Sequence, residues 1–165
     1  MVPRKYSSVA ALINADESGR LDDSAFDDEL WLLLCERIAA PQDVGRLTKP
    51  VVLYYASRYV QWEVGNGGFA QAAYNVPEWF EFAASWYEEV GLLEFAALIR
   101  EAIALLPLEN RETTFDAQEI GELFDQFSES RLARLDDRLN GSGWEADSRR
   151  VQYVRENKDA FRGVD

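Results

Sequence analysis

Histidine is absent from the sequence and cysteine occurs once. Without histidine there is no Ser-His-Asp or Cys-His catalytic arrangement and no His-based zinc site, and one cysteine excludes a disulfide within the chain. Basic residues are scarce: 17 Lys and Arg stand against 30 Asp and Glu, a formal charge of −13 at pH 7. So acidic a chain is a poor ligand for DNA, RNA or an anionic membrane surface, and a good one for something basic. Long apolar runs are missing as well. The stretch Val9-Ala10-Ala11-Leu12-Ile13 meets Asn14 and Asp16 at once, too short for the core of a signal peptide. No run approaches the ~18 apolar residues of a membrane-spanning helix, so the expectation is a soluble cytoplasmic protein. Cys35 lies in the apolar run Trp31-Leu32-Leu33-Leu34-Cys35 and reads as a core residue, since a reactive thiol wants a basic neighbourhood.

What is present suffices for one globular domain. Among 165 residues, 47% are hydrophobic and 13% aromatic, enough for a core and too much for a disordered acidic tail. Apolar residues recur at steps of three or four between Pro and Gly breaks, and no stretch alternates strictly. The fold expected is all-α, a single compact domain over 1–165 with about seven to eight helices. Segments are predicted at roughly 7–18, closed by Gly19; from Ser24, with Asp27 as its capping-box partner, to before Pro41; from Thr48 and Pro50 to Gly65; 78–90 after Pro77; 92–106; 116–127; 131–139; and 147–161.

Charge is uneven along the chain. Residues 59–130 hold 14 carboxylates against Arg100 and Arg111, a local −12. Residues 16–29 hold seven carboxylates and Arg20, for −6, including Asp22, Asp23, Asp27 and Asp28. An acidic pole facing a near-neutral remainder is expected. In the helix predicted from 116, Ile120, Leu123, Phe124 and Phe127 mark a core face. Asp116, Glu119, Glu122, Asp125 and Glu129 then lie on the flank and outer side, with like charges at i, i+3 and i, i+4 that weaken a helix. Glu78, Glu81 and Glu88 form a second, sparser ridge, joined by Glu89. A solvated face explains either ridge alone; two ridges plus the 22–29 cluster favour a binding surface.

Other carboxylate chemistry fits poorly. Counted from Asp16, an EF-hand loop has Arg20 at a ligand position and Leu21 where glycine is needed. Carboxylate di-iron bundles need Glu-x-x-His pairs. Gly65-Asn66-Gly67-Gly68 lacks the Lys-Ser/Thr of a phosphate loop. No metal or other cofactor is expected. Glu63, beside Trp62 and among tyrosines, is the one candidate for a raised-pKa general acid.

The segment 59–75 is unlike ordinary helix filler. Read locally, Gly65 ends a helix in a left-handed conformation, Asn66 caps the next, Phe69 plugs the core, and Gln71 and Asn75 share a face from which they tie down loop backbone. Glu63, Val64, Asn66, Gly67, Gly68, Phe69, Gln71 and Asn75 together resemble the signature E-V-x-N-G-G-F-x-Q-x-x-x-N of a bacterial family of helical proteins whose named member is a DNA mimic of about nineteen kilodaltons. The departure is Ala72-Ala73-Tyr74, where bulkier aromatics are the family's preference. The resemblance implies a non-enzymatic, acidic, dimeric protein that imitates duplex DNA and occupies the DNA-binding face of a helix-turn-helix transcription factor. It implies a scaffold role for the motif, with function in the acidic ridges.

Physical reasoning runs parallel to the resemblance. Carboxylates share the sign of phosphates and accept bidentate bonds from arginine, and most protein–DNA hydrogen bonds go to backbone rather than base edges. A compact domain of this length is about 40 Å across, barely enough for recognition helices ~34–36 Å apart, which favours a homodimer. Two other readings stay open: an acidic immunity-type or other binding protein for a different basic partner, and a small carboxylate-based enzyme.

Overall fold

Local capping signals set the helix boundaries in the computed structural model, which describes residues 5–38, 41–105, 131–141 and 143–164. Helix α1 (Val9–Glu17) starts at Ser8, whose hydroxyl accepts the Ala11 N–H at 3.1 Å, and stops ahead of Gly19 at φ +70°. Val9, Leu12, Ile13 and Ala15 bury its inner face. Helix α2 (Asp23–Arg37) is capped by Asp22, which accepts the Ala25 N–H at 2.8 Å. The expected capping box at Ser24 is therefore displaced: Asp22 and Ser24 both suit a cap, and the earlier one is used.

After a 3-10 turn at Pro41–Arg46 come α3 (Lys49–Asn75), a 3-10 turn at Pro77–Trp79, α4 (Phe80–Glu89), α5 (Leu93–Leu105), α6 (Arg131–Asn140), α7 (Gly143–Glu156) and α8 (Lys158–Arg162). No strand occurs among the described residues, and the fold is all-α as expected. The single helix predicted over 147–161 is two, α7 and α8, parted at Asn157. The helix predicted over 116–127 lies outside the described residues.

Contacts divide the chain into two compact units, Met1–Tyr55 with Trp144–Asp165, and Ala56–Gly143. In the first, α1 packs on α2 and α8, and Phe26, Leu30, Leu33, Leu34, Tyr54 and Phe161 are fully buried. Tyr54 and Phe161 meet edge-on with centroids 5.6 Å apart. In the second, α4 packs on α5 and α5 on α6, around Phe69, Phe80, Trp86, Tyr87 and Ile99. No described helix is long and apolar enough to cross a membrane. Cys35 is half-buried; burial pushes its thiol up to about 11, only partly offset by a hydrogen bond with Tyr55, so at neutral pH it is an unreactive packing residue.

Asp27 is the polar centre of the first unit. It is 3% exposed, accepts the Tyr54 hydroxyl at 2.6 Å, and faces Arg150 Nε at 3.8 Å. Arg150, itself buried, also pairs with Asp147. Burial holds the Tyr54 hydroxyl far above its ordinary range, so it stays a donor. Tyr54→Phe removes a bond to a buried charged acceptor and should cost about 2 kcal/mol. The expected readout is a lower urea midpoint with an unchanged m value.

Candidate functional site

The helix α3 is interrupted at Gly67 and Gly68, whose backbones leave the helical region. The local sequence pattern predicts the left-handed residue at Gly65. The structure puts it at Gly68, φ +75°, and Gly65 has no positive φ. The helix thus runs on through Gly65 and Asn66, so Asn66 belongs to its last turn rather than capping the next segment. The cap comes from elsewhere. Phe69 opens the second segment, and its N–H donates to Asp136 Oδ1 of α6 at 2.7 Å. A helix start leaves orphan N–H groups and carries partial positive charge, so a carboxylate satisfies it twice over. Leu132, Leu135 and Leu139 anchor α6 in the core, which aims the adjoining Asp136 at the break. Phe69 is fully buried and lies 6.0 Å from Phe80, the expected core plug.

A second attachment spans the break. Glu63, on the first segment, is 4% exposed. Its Oε2 accepts from Gln71 Nε2 at 3.1 Å and Asn75 Nδ2 at 2.7 Å, both on the second segment. Gln71 and Asn75 were expected to hold loop backbone; they hold Glu63 instead, because the one-turn spacing that puts them on one face turns that face toward the first segment. A Cβ on Gly67 would collide with Gln71, and one on Gly68 with Asp136 Oδ2 at 2.5 Å. The corner is a two-point clamp closed by carboxylates, with Glu63 acting as an acceptor. Asp136 had no local signal, being 67 residues from its partner.

The acidic candidates fall into three groups. Asp27 is buried, which corrects its placement on the acidic surface: its position on the Phe26–Leu30 face turns it inward to Arg150 and Tyr54. Around it, Asp16, Glu17 and Asp23 of the 16–29 cluster are paired by the C-terminal helices. Arg155 donates to Asp16 from Nε and Nη2 at 2.9 and 2.7 Å and reaches Asp23 at 2.9 Å. Glu17 takes Lys158 and Arg162, each at 2.6 Å. Asp22 serves as a helix cap while remaining exposed, and Asp28 is exposed. In the second unit, Glu78, Glu81, Glu88 and Glu89 are all exposed. Arg100 of α5 pairs with Glu88, with Nη2 at 3.0 Å from Oε2, and lies 3.8 Å from Glu81. The Arg100 hydrogen bond holds the Glu88 carboxyl below its usual range. Arg138 pairs with Glu94. Asp116, Glu119, Glu122, Asp125 and Glu129 lie outside the described residues.

Residues 45–157 match the family described as DMP19-like protein, more than half of the chain and inclusive of the whole corner. The chain belongs to the DMP19-like protein family. Neither the curated proteins nor the solved structures compared with the chain include a match. The family's matched span covers all of α3, and with it the two-point clamp, and continues through α4, α5, α6 and α7.

Two outcomes test the clamp. Gly68→Ala forces a side chain into a left-handed backbone and against Asp136, and should cost about 2 kcal/mol or more. Gly19→Ala, at φ +70° with nothing within 4 Å of the added Cβ, should cost about 1 kcal/mol; urea midpoints compare the two. Burial, with a contribution from neighbouring Asp137, pushes Asp136 up to about 6 against the opposing Phe69 N–H. Its folded value is above its unfolded one, so folding takes up protons and this group adds stability as pH falls through 6. Relative to Asp136→Asn, which keeps an acceptor without a titration, the wild type should gain about 1 kcal/mol between pH 7 and pH 5, a figure discounted for partial exposure.

Proposed function

We propose that this chain is a DNA mimic: a homodimer whose acidic surface occupies the DNA-binding face of a helix-turn-helix transcription factor and keeps it from its operator, with no enzymatic step. Membership of the DMP19-like protein family, a family of DNA mimics, carries the reading. The acid is concentrated in the same part of the chain, where residues 59–130 hold a net −12. The ion pairs of the first unit favour the second as that surface. Asp16, Glu17, Asp23 and Asp27 are drawn into pairs with Arg150, Arg155, Lys158 and Arg162, whereas Glu78 has no ion pair among the described residues. The surface proposed is therefore the α4 carboxylates together with Asp116, Glu119, Glu122, Asp125 and Glu129. Duplex DNA offers about one charge per 1.7 Å of axis; carboxylates one helical turn apart offer the same sign at lower density, to the same Lys and Arg side chains.

A low-salt pull-down from native cell lysate, eluted with duplex DNA and read by mass spectrometry, should release a DNA-binding protein; release of none overturns the reading. Reversing Glu119 and Glu122 to Lys moves the charge from −13 to about −9 and relieves like-charge neighbours. Stability should hold or rise by a few tenths of a kcal/mol. Partner binding should fall by about 2 kcal/mol for each engaged pair, and wild-type binding should weaken steeply as added salt screens exposed charges. Light scattering should give twice the 18.8 kDa chain mass.

A further inference from the structure

Four aromatic rings of the second unit form a connected strip that neither the clamp nor the acidic surface uses. Tyr59 and Trp62, three residues apart on α3, have centroids 6.3 Å apart. Tyr59 is 6.5 Å from Trp79, and Trp79 is 6.1 Å from Phe82. Trp79 is buried, but the two ends of the strip face solvent, Trp62 at 54% and Phe82 at 41% exposure. The strip thus offers one exposed ring face at each end. Carboxylates border it. Glu78 adjoins Trp79 and lies one turn before Phe82, exposed and without an ion pair among the described residues. Glu81 adjoins Phe82 and is 3.8 Å from Arg100. Among the described residues, Lys5 lies over Tyr6 and Arg155 over Phe26, and no cation lies over Trp62 or Phe82.

We propose that this strip is a docking site for arginine side chains of the basic partner, a guanidinium lying on the Trp62 or Phe82 face with its N–H groups turned to Glu78. The proposal rests on the reading of the chain as a ligand for a basic protein, and it adds a chemical preference: arginine over lysine. A guanidinium is planar and weakly hydrated, stacks on rings and forks onto carboxylates, whereas an ammonium is a strongly hydrated point charge. Charge complementarity selects this occupant. In a two-fold contact at this strip a second copy would set its own Glu78 and Glu81 against these. A row of phosphates has no counterpart to the ring faces, so arginine gains here a contact that phosphate imitation alone lacks.

The test titrates the full-length protein with oligoarginine and oligolysine peptides of equal length by calorimetry, at low salt and near physiological salt. Wild type should bind oligoarginine about fivefold more tightly than oligolysine, the factor one stacked cation supplies. In the Trp62→Ala, Phe82→Ala double variant, oligoarginine affinity should fall to the oligolysine level while oligolysine binding stays put. Circular dichroism checks that this variant folds. Glu78→Gln, a substitution at an exposed position, carries the same test independently and should lower the arginine preference at least twofold. Equal affinity for the two peptides in wild type overturns the docking site and leaves the basic-partner reading standing. Absence of binding by either peptide at low salt overturns both. A preference that survives both variants also overturns the site, as does a wild-type dimer that the double variant dissolves with its peptide preference intact, since the strip is then a self-association surface.

Discussion

A helix that breaks inside a protein must find new partners for the N–H groups its second half leaves open, and the second unit is organised by how this chain does so. The break at Gly67–Gly68 is stabilised by Asp136 at the Phe69 N–H and by Glu63 holding Gln71 and Asn75. Each contact fixes something larger. Asp136 reaches Phe69 only if the leucines of α6 are seated, and Phe69 meets Phe80 only if the backbone turns at Gly68. Two carboxylates are thereby placed where a protein selected only for acidity has no reason to put them. The Glu-x-x-Asn-Gly-Gly-Phe pattern is a folding device for the second unit.

The parts of the fold written in local code were legible. Helical spacing, Gly19 as a stop and the buried Phe69 all depend on residues within one or two turns of one another. The errors arose where several residues satisfy one local rule. Asp22 and Ser24 are both good caps, and Gly65, Gly67 and Gly68 all permit a helix break, so only tertiary packing decides among them. The contacts without local signal were the long-range ones. Asp136 lies 67 residues from Phe69, and Arg155 lies 139 from Asp16. A charge count along the chain places seven carboxylates together at 16–29 but is silent on the cations that fold back onto them.

That folding back changes what the net charge means. The first unit satisfies much of its acid internally, through Arg150 with Asp27, Arg155 with Asp16 and Asp23, and Lys158 and Arg162 with Glu17. Described cations in the second unit are fewer, Arg100 and Arg138 being bound to Glu88, Glu81 and Glu94. The imbalance seen in sequence is thus sharper at contact range than the total implies. Beyond a Debye length exposed charge is largely screened, so it is at contact range that the different pairing within each unit counts.

The Arg155 arrangement has a meaning apart from stability. Its guanidinium forks onto Asp16, touches Asp23 and lies over the Phe26 ring, 5.8 Å from the centroid. Carboxylates and an aromatic face hold one arginine from a distant part of the chain. The protein thus contains, within its own tertiary structure, a worked specimen of arginine capture. The berth is taken, so the chain's own guanidinium closes Asp16 and the Phe26 face to any other cation.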